Sequence, residues 1–87
     1  MTDVIPIFVR VPRAEIGYLK FIFESYEGVA VVRTLDRYEA LVVVLAVPDF
    51  LDDTGRILDA LTAEIGCERV QRPPGAPADV LGPEPKD

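Results

Sequence analysis

The chain has 87 residues, enough for one small domain built around a single core. Fifteen acidic residues against nine basic ones leave a net charge of −6, and no Lys/Arg cluster is present to neutralise phosphates. Nucleic acid and anionic membrane surfaces are therefore not expected partners.

One cysteine and no histidine exclude internal disulfides, zinc sites of the Cys/His kind and imidazole-based triads. A lone thiol predicts a reducing, cytoplasmic setting. The opening residues lack a basic stretch followed by an apolar one, so no signal peptide is expected. The longest uncharged run, residues 40–48, falls far short of the ~20 residues that a membrane helix needs.

Residues 4–11 alternate in a strand rhythm, with Ile5, Ile7, Val9 and Val11 pointing one way and Pro6, Phe8 and Arg10 the other. Pro12 ends the segment. Over residues 13–26 the period becomes helical, with Ile16, Leu19, Ile22, Phe23 and Tyr26 on one stripe and Tyr18 and Phe21 off it. Lys20 and Glu24 form an i,i+4 pair on the solvated side, and Gly28 suits the left-handed close of a helix.

Residues 29–36 are rich in β-branched side chains and predict a second strand. After the polar interruption Arg37-Tyr38-Glu39, residues 40–47 form a third strand that is apolar on both faces. Asp49 is the expected N-cap of a second helix, with Asp52 and Asp53 favouring its positive end. Its inner stripe is Phe50, Leu51, Thr54, Ile57, Leu58, Leu61 and Ile65, and Gly66 stops it. Val70 alone argues for a short fourth strand. Residues 72–87 carry five prolines and no apolar period, so the folded domain is expected to span 1–71, with an extended or disordered tail whose one apolar patch is Val80-Leu81.

This order predicts an α+β, ferredoxin-like sandwich: βαββα with a short fourth strand, an antiparallel sheet, and two helices on one face. The third strand then lies centrally. Pairing Leu35 with Ala40 across the turn sets Arg33 against Val42 and Val31 against Val44. The face away from the helices would carry Phe8, Arg10, Val31, Arg33, Leu35, Val42, Val44 and Ala46. Such an apolar face predicts a homodimer or higher homo-oligomer, with Phe8, Val31, Leu35, Val42, Val44 and Ala46 at the interface. Cover by the fourth strand and the proline-rich tail is the alternative. Arg10 and Arg33 need carboxylate, phosphate or water partners there. Ion pairs with acids of a partner subunit satisfy that need, and so does a small anionic metabolite.

The segments Ile7-Phe8-Val9-Arg10-Val11-Pro12, Tyr18-Leu19-Lys20-Phe21, Glu24-Ser25-Tyr26-Glu27-Gly28 and Val32-Arg33-Thr34-Leu35-Asp36 resemble an uncharacterised bacterial family, domain of unknown function 4911. The resemblance spans residues 5–65 and implies no activity. The order of elements is also similar to that of amino-acid-sensing ACT domains, which pair through their sheets. In those domains a glycine often lets the ligand approach the turn after the first strand, whereas residues 11–15 here contain none.

No catalytic pattern is present. Asp49, Asp52 and Asp53 lack calcium-loop spacing, Glu24 and Glu27 sit on an outer helix face, and Cys67 has no neighbour that clearly activates it. The expectation is a non-enzymatic domain without metal or cofactor, acting as a self-associating regulatory or small-anion-binding module. An accessory subunit that binds another protein through the same face, or through Tyr18 and Phe21, is the second expectation.

Overall fold

The computed structural model describes residues 4–72. Four strands and two helices follow one another as β1 (Ile5–Arg10), α1 (Ile16–Ser25), β2 (Ala30–Asp36), β3 (Leu41–Ala46), α2 (Leu51–Ile65) and β4 (Glu68–Val70). Short 3-10 turns at Arg13–Glu15 and Pro48–Phe50 lead into the two helices. The strands form one antiparallel sheet in the order β2-β3-β1-β4, the ferredoxin-like arrangement with β3 inside.

Both helices pack on one side of the sheet. Leu19 and Phe23 of α1 and Leu58 and Leu61 of α2 close over Val9, Val42 and Val44, and Cys67 fills the edge of this core. Thr54 is fully buried, and its hydroxyl donates to the Phe50 carbonyl at 2.9 Å, so it carries no unsatisfied donor. Gly66 closes α2 at φ +79°, a conformation that disfavours a side chain. At Gly55, Arg69 donates to the backbone carbonyl at 3.0 Å, and a Cβ there would make only ordinary contact, 3.7 Å from the same guanidinium.

The expected pairing across the β2–β3 turn is corrected by one residue. Asp36 lies opposite Leu41, but Leu35 is extra, and from Thr34 onward the register runs Thr34 to Val42, Arg33 to Val43 and Val31 to Leu45. The Asp36 carboxylate accepts the amides of Tyr38 and Glu39, at 2.9 and 3.1 Å, and Ala40 adopts φ +56°. The four-residue turn and the bulge together set the shift. A one-residue change moves every side chain to the other face. Val42, Val44 and Ala46 therefore lie on the helix-covered side, not on the open face, and Leu41, Val43 and Leu45 take their place.

Smaller corrections follow the same logic of packing over pattern. Asp49 lies inside the 3-10 turn, Phe50 occupies the N-cap position of α2, and no side chain caps that helix. Tyr26, Phe50 and Leu51, expected on inner stripes, are exposed. Tyr18 instead packs on the core, and its hydroxyl bridges to Glu64 of α2 at 3.1 Å. The proline-rich tail beyond Arg72 lies outside the described residues.

Candidate functional site

On the face away from the helices, β1 contributes Phe8 and Arg10, β2 contributes Val31, Arg33 and Leu35, and β3 contributes Leu41, Val43 and Leu45. The central row is closed to solvent, with Phe8 6 %, Val43 0 % and Leu45 4 % exposed. Of the apolar residues expected to form an interface, only Val31 on the edge strand β2 stands well out, at 56 %. Leu35 is half-buried.

Arg10 and Arg33 share this face, on the two strands that flank β3. One full strand lies between them and their register positions differ by two residues, which separates their Cα atoms by about 12 Å. The Arg10 guanidinium reaches Glu39 at 3.8 Å, both side chains being largely exposed. An exposed pair of that length contributes little to stability.

The positive charge gathers elsewhere. Arg56 is held by Asp53 at 2.7 Å, which raises its already high pKa, and Arg69 is held by Asp59 at 3.0 Å. Arg72 lies over the Phe8 ring, and Arg33 is engaged as well. Arg13, Lys20 and Arg37 are left, and none of them makes an ion pair among the described residues. All three line one open groove of about 500 Å³, together with Thr34, Ile16 and Gly17.

Three separate elements build this groove. Arg13 comes from the turn after β1, which Pro12 forces out of the strand. Lys20 sits one turn into α1, and Arg37 follows the last residue of β2. No side chain caps either the 3-10 turn or α1, and Glu15, in that turn and at the N-cap position of α1, is the one acid there. The positive end of the helical segment adds to the three cations. Lys20 and Glu24 do not close the expected i,i+4 ion pair among the described residues. The arrangement offers point charges, two planar guanidinium forks and a hydroxyl, which is the chemistry that holds a small oxyanion. Among the described residues, no group of three or more His, Cys, Asp or Glu is placed to hold a metal ion, and no helix is long and apolar enough to cross a membrane.

Residues 9–65, more than half of the chain, match the family Domain of unknown function (DUF4911). The chain belongs to this family. The span shared with DUF4911 runs from β1 to the end of α2, so it contains every residue of the groove as well as Arg10 and Arg33. Strand β4 lies outside it. No curated protein and no solved structure matches the chain.

Proposed function

We propose that this DUF4911 domain is a non-catalytic module that binds a small, multiply charged anion in the groove at the start of α1. One observation carries the reading. In a chain with an excess of acids, the three cations left without an ion pair among the described residues line one groove, at an uncapped helical end. Repulsion between such charges, set against a helix dipole of the same sign, costs stability that a bound anion offsets. A reducing cytoplasm is the compartment that best suits the single thiol.

Isothermal titration with inorganic phosphate tests the proposal. The wild type is expected to bind, and Lys20→Gln to bind about tenfold more weakly, as befits the loss of one charge-assisted hydrogen bond. Equal heats for the two proteins, or no binding by either, would refute it.

A second reading is self-association through β2. This seven-residue strand is at the edge of the sheet among the described residues, carries the exposed Val31 and contains no proline. Unprotected edges of this kind pair readily with another strand. Light scattering at micromolar concentration tests it: a dimer that Val31→Lys dissociates supports the edge, and a strict monomer removes it.

A further inference from the structure

The outer side of β2 carries charges arranged to match a copy of themselves. β2 stands at the edge of the sheet among the described residues, and its bulge lies at the far end, which leaves residues 30–34 in regular register. Between this strand and α1 runs a groove of about 220 Å³. Lys20, Phe23 and Glu24 line it from the helix, and Ala30, Val31 and Val32 from the strand. Lys20 and Glu24 are one helical turn apart, yet no ion pair joins them among the described residues. Each head group is open to a partner approaching along the edge of β2.

Helix and strand keep step along this groove. From Lys20 to Glu24 α1 rises about 6 Å, and from Ala30 to Val32 β2 spans about 7 Å. The two elements run in opposite directions, joined by the turn at residues 26–29. A two-fold axis normal to the sheet and beside Val31 therefore also passes beside the middle of the Lys20–Glu24 turn. Across that axis β2 meets the partner's β2 antiparallel, Val31 lies opposite the partner's Val31, and Lys20 lies opposite the partner's Glu24. An isologous contact needs a surface that complements itself. Opposite charges placed evenly about the axis meet that need, since a second copy presents the same two charges in reversed order.

We propose, on the reading that the chain self-associates through β2, that β2 pairs antiparallel with β2 of a second copy about a two-fold axis at Val31. The contact closes two reciprocal Lys20–Glu24 ion pairs and joins two four-stranded sheets into one. Lys20 borders the anion groove as well, so the partner's Glu24 and a bound anion compete for its ammonium.

Sedimentation equilibrium on the full chain at micromolar concentration, in phosphate-free buffer, tests this. The wild type is expected to be a dimer. Lys20→Glu and Glu24→Lys each set like charges against one another at both contacts, and each should raise the dissociation constant about tenfold. The double variant Lys20→Glu/Glu24→Lys restores both pairs with their signs exchanged. It should return the constant to within about threefold of wild type, a coupling that a mere loss of folding would not produce. A dimer that Val31→Lys dissociates but the charge reversals leave unchanged would overturn this register while keeping association through β2. A double variant no tighter than the single ones would overturn it too. A strictly monomeric wild type would remove both this register and the β2 reading. Arg13 and Arg37 take no part in the contact, so the phosphate titrations decide the anion site separately.

Discussion

Two cationic regions of this domain differ in their sequence setting and in their structure. Arg10 and Arg33 interrupt apolar strands, and so they draw the eye. They face the same side of the sheet, but with β3 between them, and Arg10 already has Glu39 within reach. Arg13, Lys20 and Arg37 lie outside the strands, in a turn, a helix and a second turn. The fold collects them around one groove with no carboxylate paired to any of them among the described residues. What distinguishes a candidate binding charge from a structural one is therefore the electrostatic company it keeps, not the oddity of its position in a sequence pattern.

The largest expected effect separates the two regions directly. Replacing both Arg13 and Arg37 by Gln should weaken phosphate binding about 100-fold, since two charge-assisted hydrogen bonds contribute about 3 kcal/mol together. Replacing both Arg10 and Arg33 by Gln should leave the affinity within about twofold. Calorimetry on the two double variants reads the contrast, and the reverse order would return the anion site to the sheet face.

Gly17 sharpens the same comparison from the side of stability. A Cβ added there meets nothing within 4 Å, and the residue lines the groove in the first turn of α1. Gly17→Asp should stabilise the fold by about 1 kcal/mol, through better helix propensity and a favourable charge at the helix start. It should also abolish phosphate binding. Thermal melts and calorimetry on one sample would show the opposed signs, and a variant that gains stability yet keeps its affinity would sever the groove from function.

Salt provides a milder test. Raising the ionic strength from low to physiological should weaken phosphate binding several-fold, because the groove is open to screening ions. The melting temperature should move little, since the core is apolar on the helix side and the ion pairs described are partly or largely exposed.

The smallest effect concerns Tyr18, which ties α1 to α2. Its hydrogen bond to Glu64 raises its pKa above the ordinary value of 10.0, with desolvation and the nearby negative charge of Glu64 acting in the same direction. The folded state then holds the proton more tightly than the unfolded state does. The bond's contribution is fully present below pH 10 and is lost as pH rises through the raised value. Tyr18→Phe should remove that alkaline component from melts recorded across the range, and an unchanged pH profile would show that the bond does not contribute.

The sequence reveals the architecture because its signals are local. The alternation of Ile5, Ile7 and Val9 assigns the faces of β1, the glycine at 66 marks the end of α2, and a strand apolar on both sides has to be central. The register of β2 against β3 is less legible. The bulge at Leu35 has no glycine or asparagine to announce it, and it depends on how Asp36 folds the turn. One residue of slip then sends Val42, Val44 and Ala46 to the wrong face. The groove is less legible still, since Arg13, Lys20 and Arg37 come from a turn, a helix and a second turn. No spacing links them, and only the absence of partnered carboxylates, a property of the folded chain, picks them out.

An amide NMR titration with inorganic phosphate tests the central claim most directly. Shifts concentrated at Arg13, Ala14, Gly17, Thr34 and Arg37 are the predicted result. A spectrum that phosphate does not change, or shifts centred on Arg10 and Arg33 across the sheet face, would contradict it.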